Sequence, residues 1–320
     1  MEKEKMKRVK GRTGFFLLLL ACFVIFSGQT INPTVFHFVA MGDNGCACKG
    51  QQAVATKMIE WRKDHPYDTV IMMGDNVYPI GMKRGGNKDL FEVAFDQYYK
   101  PLTMAGVKFY ATVGNHDTEA DGAKAEIADQ DRFHILGQYG YYSFASNEQA
   151  NGNPLVMFIC INSTRLLKLG ADDAQIAWLS KSLTESKALW KIAYFHHPIY
   201  GPSGGHKAEK ELKQGIEKIL QAGGAQIVLS GHNHYYARLK PENGINYIIS
   251  GGGGKDLVTP RNGEVVAKIG KAYHFTYFEV YPDQMTFEAI PASGQALDQG
   301  MFLPLPPNGK QPVTSGQPSP

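Results

Sequence analysis

The sequence predicts an α/β fold with an antiparallel, α+β part, and three observations predict it. Residues 35–41 and 69–73 are apolar runs, and the segment between them, 51–65, puts Val54, Met58 and Trp61 on one helical face. That strand, helix, strand order argues for a parallel crossover unit. Residues 141–145 and 155–162 are two further apolar runs joined by a polar, glycine-containing loop, so they read as an antiparallel pair. Finally, five apolar runs each end abruptly in a short polar cluster, and open α/β sheets build their sites outside the carboxyl ends of such strands.

The remaining elements follow in order. Residues 87–100 carry Leu90, Phe91, Ala94 and Phe95 on one face and read as a second amphipathic helix. A third strand occupies 107–113. The alanine-rich segment 119–130 reads as a short helix. A helix over 172–186, capped by Asp172 or Asp173, leads to a strand at 190–195. A helix at 207–222 leads to a strand at 225–230. Strands at 247–250, 275–281 and 285–290 finish the domain. From Leu297 onward Pro, Gly, Ser and Gln dominate, which predicts a loosely draped or disordered tail.

Of 320 residues, 43% are hydrophobic and 20% charged, an ordinary globular balance. The net charge of +3 is too small to argue for nucleic acid, and much of it lies in the first dozen residues. There Lys3, Lys5, Lys7, Arg8, Lys10 and Arg12 precede an apolar run at 15–26, short for a bilayer span and of signal-peptide length. Residues 1–29 therefore read as an export signal with small residues Ser27 and Gly28 for cleavage, making the protein periplasmic or secreted. An uncleaved anchor, or lipidation at Cys22, is the weaker reading. Cys46 and Cys48 form a C-x-C pair that does not easily close an unstrained disulfide, and Cys160 lies in an apolar run as a small hydrophobe. No disulfide framework is expected, and the pair reads either as roleless loop cysteines or as redox-sensitive thiols.

The five strand-end clusters carry the chemistry. They are Gly42-Asp43-Asn44-Gly45, Gly74-Asp75-Asn76-Val77-Tyr78, Gly114-Asn115-His116-Asp117, His196-His197, and Gly231-His232-Asn233-His234. Together they offer carboxylates, a phenol, an amide oxygen and several imidazoles. Hard oxygen donors mixed with imidazole suit charged metal ions, and there are enough for two ions sharing one carboxylate, for which Asp75 is the natural bridge. The run Gly251–Gly254 before Lys255 is not a phosphate loop, because Ile249 and Asp256 break that pattern; it reads as a tight turn bordering the site.

On these five motifs, in this order, the chain resembles the purple acid phosphatases, of the small, mammalian tartrate-resistant type, within the calcineurin-like metallophosphoesterases. The resemblance covers residues 34–290. One exchange of ligands is specific: Gly45 stands where most metallophosphoesterases have the His of D-x-H, and Tyr78 supplies the G-D-x-x-Y tyrosine of the purple enzymes. The resemblance implies a four-layer α-β-β-α sandwich of two mixed sheets flanked by helices. It implies a phosphoric monoester hydrolase, acting at acidic pH by attack of a metal-bound hydroxide on phosphorus. Asp43, Asp75, Tyr78 and His234 would hold Fe(III); Asp75, Asn115, His196 and His232 would hold a divalent Fe, Zn or Mn. His116 would protonate the leaving group, Asp117 would orient it, and His206 would be a further outer-sphere histidine. Small phosphate esters are the expected substrates and a monomer the expected state.

Two departures bear on the expectation. The family's small members carry a long loop over the site that a protease cuts; residues 162–173 are short here, so intact and protease-treated protein are expected to have equal specific activity. The β-sandwich of plant-type members is missing, so one catalytic domain is expected over 30–295, with 296–320 as tail. Singly, Asp43 and Asp75 read as turn formers and His232 and His234 as a solvated turn; together with the other motifs they do not. His197 reads as a supporting residue, and His37, His65, His134 and His274 as having no direct catalytic role. Alternatives are a metallophosphodiesterase acting on nucleotides or phospholipid head groups, an iron-free Mn or Zn phosphatase, and a non-catalytic metal- or phosphate-binding module.

Overall fold

The structure is a computed structural model and describes residues 35–82, 89–149, 151–169 and 172–305. The residues expected to form an export signal, Cys22, residues 83–88 and the chain beyond 305 lie outside the described residues. Two mixed sheets make the fold. The first contains β1 (Phe36–Met41), β2 (Thr69–Met73), β3 (Lys108–Thr112), β11 (His274–Val280), β12 (Met285–Pro291) and β13 (Asp298–Phe302), in the order β13-β12-β11-β1-β2-β3. β1, β2 and β3 run parallel, and β11 to β13 continue the sheet antiparallel from β1.

The second sheet contains β4 (Tyr142–Glu148), β5 (Pro154–Cys160), β6 (Trp190–Phe195), β7 (Ile227–Ser230), β8 (Tyr236–Leu239), β9 (Asn246–Ser250) and β10 (Val266–Gly270). Its order is β10-β8-β9-β7-β6-β5-β4, with a parallel centre β5-β6-β7-β9 and antiparallel edges.

Period-two alternation divides the second sheet's side chains between two cores. Phe158, Trp190, Ile192, Tyr194, Ile227, Leu229 and Ile248 face the first sheet. Their neighbours Ile159, Ala193, Phe195, Val228 and Ile249 face helices α5 (Ser163–Leu169), α6 (Asp173–Glu185) and α7 (Lys210–Ala222). Phe38 joins the sheets, stacked on Phe278 at 4.4 Å and edge-on to Phe158 at 5.0 Å. Outside the first sheet lies α1 (Lys49–Trp61), which buries Val54, Ala55 and Met58. It packs on a helical segment made of α2 (Asp89–Phe91), a π-helical turn (Glu92–Asp96) and α3 (Gln97–Met104). The four layers are thus helix, sheet, sheet, helix, as the resemblance implies.

Three expectations change. The helix expected at 119–130 shrinks to α4 (Lys124–Ala128), because the preceding residues turn tightly to present His116 and Asp117. The tail expected from Leu297 begins instead with β13. Phe302 stacks on Phe287 at 5.0 Å and Asp298 accepts from Arg238 and Tyr236, so this stretch is an anchored edge strand despite its glycine. Cys46 and Cys48 are joined in a disulfide. Ala47 between them adopts a left-handed conformation, φ 51°, and the two Cα atoms lie 5.2 Å apart, within ordinary disulfide reach. Within residues 162–173, the stretch compared with the family's protease-cut loop, residues 163–169 form α5.

Candidate metal centre

Backbone geometry brings the five junctions to one rim. The Gly42 and Asp43 amides donate to the Ser250 and Gly74 carbonyls at 2.9 and 3.0 Å, and the Gly231 amide donates to the His196 carbonyl at 3.1 Å. The carboxyl ends of β1, β2 and β3 in one sheet therefore abut those of β6 and β7 in the other. Asp43, Asp75 and His232 all have left-handed backbone, with φ of 62°, 54° and 65°. Asp and His are among the few non-glycine residues that tolerate it. The turn swings each side chain off its strand axis into the space between the sheets.

Two clusters result, sharing Asp75. In the first, the Tyr78 hydroxyl donates to Asp75 Oδ2 at 2.9 Å and lies 3.4 Å from Asp43 Oδ1 and 3.3 Å from His234 Nε2. His234 Nε2 is 3.6 Å from Asp43 Oδ1. In the second, His196 Nε2 lies 3.0 Å from Asn115 Oδ1, 3.1 Å from His232 Nδ1 and 3.5 Å from Asp75 Oδ1. The structure thus groups the seven sequence-predicted ligands into the same two sets.

The hydrogen bonds around the clusters make them fit metal ions. His196 Nδ1 donates to the Met73 carbonyl at 2.8 Å, and His234 Nδ1 donates to the Asp256 carbonyl at 2.8 Å. Each bond leaves a lone pair on Nε2. Those lone pairs face carboxylate and amide oxygens that are themselves acceptors, and Asp43 Oδ2 is buried without a hydrogen-bond partner. Acceptors converging on acceptors require a cation or protons between them. Buried groups of Asp43, Asp75 and His196, and of His196, His197 and His232, lie within 4.8 Å of one another.

The titration of the same groups carries this tension. Burial alone would lower His234, but the hydrogen bond and charge of Asp43 outweigh it and lift the imidazole to about 9. Burial also opposes protonation of His196, yet the charges of Asp75 and Asp43 raise it. Burial, then Asp43 and Asp75, push the Tyr78 phenol far up. His232 goes down, through burial and the neighbouring His196.

The expected outer residues are placed unequally. The His116 amide donates to Asp75 Oδ1 at 3.0 Å, and its ring packs 4.7 Å from that of Tyr78. Its Nδ1 faces the Pro79 carbonyl at 2.5 Å, which leaves Nε2 for a ligand. Asp117, expected to orient His116, has its contacts elsewhere. It is buried and accepts from the amides of Asn76, Val77 and Gly114 at 2.8, 3.0 and 2.7 Å, so it holds the two ligand loops together, while Pro79 orients His116. The His206 ring lies 4.1 Å from that of His232, and its amide donates to Asn233 Oδ1 at 2.7 Å. His197 supports from behind: its Nδ1 is 3.0 Å from Ser163 Oγ, and burial next to His196 drops it to about 2. The turn ending in Lys255 borders the site, with the Lys255 amide donating to the Asp43 carbonyl at 3.0 Å.

Sequence reading missed Asn76, Glu126 and Asn233. Asn76 Nδ2 donates to the Thr112 carbonyl and to Asp117, and reaches Glu126 Oε2 at 3.3 Å. A signal was present: Asn44, Asn76 and Asn233 each directly follow a Gly-ligand pair.

Fold and site together define a phosphoesterase of the calcineurin-like kind. The chain belongs to the calcineurin-like phosphoesterase family, whose profile matches residues 36–236. Among relatives, tartrate-resistant acid phosphatase type 5 of Mus musculus is 25% identical over 303 residues, covering 84% of this chain and 90% of the relative. Purple acid phosphatase 17 of Arabidopsis thaliana is 27% identical over 239 residues, 68% of each chain. Two solved structures share the fold. GAP50, described as the anchor in the inner membrane complex of Plasmodium, matches with a TM-score of 0.73 at 16% identity, over 84% of this chain and 89% of its own. The purple acid phosphatase PPD1 of Lupinus luteus matches with a TM-score of 0.67 at 17% identity, over 85% of this chain and 54% of its own.

Proposed function

We propose that this protein is an exported, binuclear metal-dependent acid phosphatase that hydrolyses small phosphate monoesters as a monomer. The observation that carries the reading is the pair of ligand clusters joined at Asp75, one containing Tyr78 and the other Asn115. Asp43, Asp75, Tyr78 and His234 would hold Fe(III), because a phenolate and two carboxylates suit a hard trivalent ion. Asp75, Asn115, His196 and His232 would hold a divalent Fe, Zn or Mn. When bound, the pair of ions supplies the Lewis acidity that activates water and neutralises phosphate charge.

The chain's own residues then have distinct tasks. Asp75 fixes the spacing of the two positions and, through the His116 amide, the position of the His116 loop. His116, with Nδ1 committed to Pro79, gives a proton from Nε2 to the leaving oxygen. His206, beside His232, borders the bound phosphate. Asp117 keeps the Asn76–Val77 and Gly114 amides in register, so both carboxylate and amide ligands stay aimed.

Purified protein is expected to show a visible charge-transfer band and about one iron per chain, and Tyr78→Phe is expected to remove the band. It is expected to hydrolyse p-nitrophenyl phosphate faster than the bis-ester. His116→Ala should lower kcat about a hundredfold on alkyl phosphates and less on p-nitrophenyl phosphate, whose leaving group needs no proton. A colourless protein with two zinc or manganese ions would overturn the ferric assignment; a faster bis-ester rate would overturn monoester specificity.

A further inference from the structure

The Cys46–Cys48 disulfide lies at the hinge between the first metal ligand and helix α1, and the proposed hydrolysis does not use it. Both cysteines are partly exposed and Ala47 between them is exposed, so the disulfide is open to solvent. On one side Cys46 follows Gly45, whose amide donates to the Asp75 carbonyl at 3.2 Å and whose carbonyl accepts from the Tyr78 amide at 2.9 Å. Gly45 is packed so closely there that an added Cβ would sit 1.8 Å from the Asn76 carbonyl oxygen. On the other side Cys48 is the N-cap of α1 and makes no side-chain cap bond, and the first turn of α1 holds no acidic residue. Its sulfur lies 3.1 Å from the Gly254 carbonyl oxygen, one residue before the Lys255 amide that donates to Asp43.

We propose that Cys46–Cys48 is a thiol–disulfide exchange site for a small dithiol, and that its redox state sets how firmly the Asp43 to Tyr78 loops are held. One thiolate of the dithiol attacks Cys46 Sγ; the Cys46–Cys48 bond breaks and Cys48 leaves as thiolate. Helix α1 favours that leaving group, since its N-terminal amides carry partial positive charge and its first turn holds no acidic residue. Cys48 then takes a proton, and its S–H finds the Gly254 carbonyl as acceptor. The second thiol of the dithiol attacks the mixed disulfide, releasing Cys46 as a thiol and the dithiol as its cyclic disulfide. Two electrons and two protons pass from dithiol to protein.

Reduction opens the three-residue ring between Asp43 and α1. The segment after Gly45 is then tied to α1 by the Ala47 amide, which donates to Gln51 Oε1 at 2.8 Å, and no longer by a covalent crosslink, so the Gly45 contact with the Asp75–Tyr78 strap becomes less rigid. This coupling rests on the phosphatase reading above; the exchange chemistry does not.

The test uses the full chain, native and metal-loaded, treated with dithiothreitol, alkylated with iodoacetamide and mapped by peptide mass. Cys46 and Cys48 are expected to be unlabelled before treatment and both labelled after it. Cys160 is an internal control: it is buried, burial pushes its thiol up to about 12, and it should stay unlabelled in the folded protein. Label on both cysteines without dithiothreitol, or on neither after it, overturns the exchange site. Reduction is further expected to lower kcat/KM on p-nitrophenyl phosphate about fivefold in wild type, reversibly on reoxidation, and not in Cys46→Ser/Cys48→Ser. Equal loss in wild type and the double variant would assign the effect to dithiothreitol acting on the metals and overturn the coupling. Protein that labels as expected but hydrolyses nothing in either state would sink the phosphatase reading alone.

Discussion

Asp117 and Glu126 show how much a single carboxyl does beneath this site. Three backbone amides and the Asn76 side chain point at Asp117, yet burial, and then the Asp75 charge, push its carboxyl up to about 7. Burial, and then Asp117, hold Glu126 well above the usual carboxylate range. In folded, metal-free protein these acids keep protons that the unfolded chain has already released. The pair's own contribution to stability is therefore full below about pH 4 and lost as pH rises through about 7, the sign opposite to that of a salt-bridged carboxylate. The buried histidines His197 and His232, held neutral, work in the opposite direction, so the pair is read from a difference: between pH 4 and 7 chelator-treated Glu126→Gln is expected to gain melting temperature relative to chelator-treated wild type. A constant difference across that window would mean that the pair is ionised without metal. None of this was legible in the chain. Asp117 sits beside His116 in sequence, which suggested that it orients that ring; only the fold shows that its oxygens turn back under Asn76, and nothing in the Glu126 region marks a buried acid.

At the scale of the strand-end turns, one tripeptide recurs: Gly42-Asp43-Asn44, Gly74-Asp75-Asn76 and Gly231-His232-Asn233. Each ligand in it is left-handed, and Asn76 and Asn233 tie the outgoing backbone to a neighbouring loop. The glycine is needed for space as well as freedom. Gly74 has φ 86°, and a Cβ there would lie 2.7 Å from His196 Nδ1 and 2.8 Å from the Gly114 amide nitrogen. Gly74→Ala must move either the shared carboxylate or the imidazole that faces it. It is expected to cost at least about 1 kcal/mol of stability from backbone strain alone, and to empty both metal positions rather than one. Melting temperature and metal content measure the two effects; full occupancy in the variant would show that the turn yields without moving Asp75. The seven candidate ligands could be picked out because an apolar run ends sharply before each cluster, at a glycine in four of the five, and because the order of the motifs resembles the purple acid phosphatases. The disulfide could not be, since its closure depends on Ala47 being left-handed, a conformation alanine does not advertise.

Across the whole molecule the site is a joint between two sheets. β1, β2 and β3 of the first sheet lead to Asp43, Asp75, Tyr78 and Asn115; β6 and β7 of the second lead to His196, His232 and His234. The parallel pairing of β1 and β2 was readable from their strand, helix, strand order, whereas the division into two mixed sheets came from the family resemblance. The edge strand β13 was not readable, because Gly300 and the following prolines masked a stretch held by Phe302 and Asp298. The sheets share an aromatic core through Phe38, away from the rim. Ions held at the proposed positions would act as added crosslinks on that rim. At a thousandfold excess over its dissociation constant each ion would add about 4 kcal/mol to unfolding. Stripping both should thus lower the melting temperature sharply while leaving the far-UV spectrum of the fold intact. Phe38→Ala attacks the joint at the other end, removing a buried ring at a cost of about 3–5 kcal/mol. If metals and core brace the same two sheets, the loaded variant should remain folded and the stripped variant should not. A stripped Phe38→Ala protein that still unfolds cooperatively well above room temperature would show that the core alone secures the sandwich and that the ions matter to chemistry rather than to architecture.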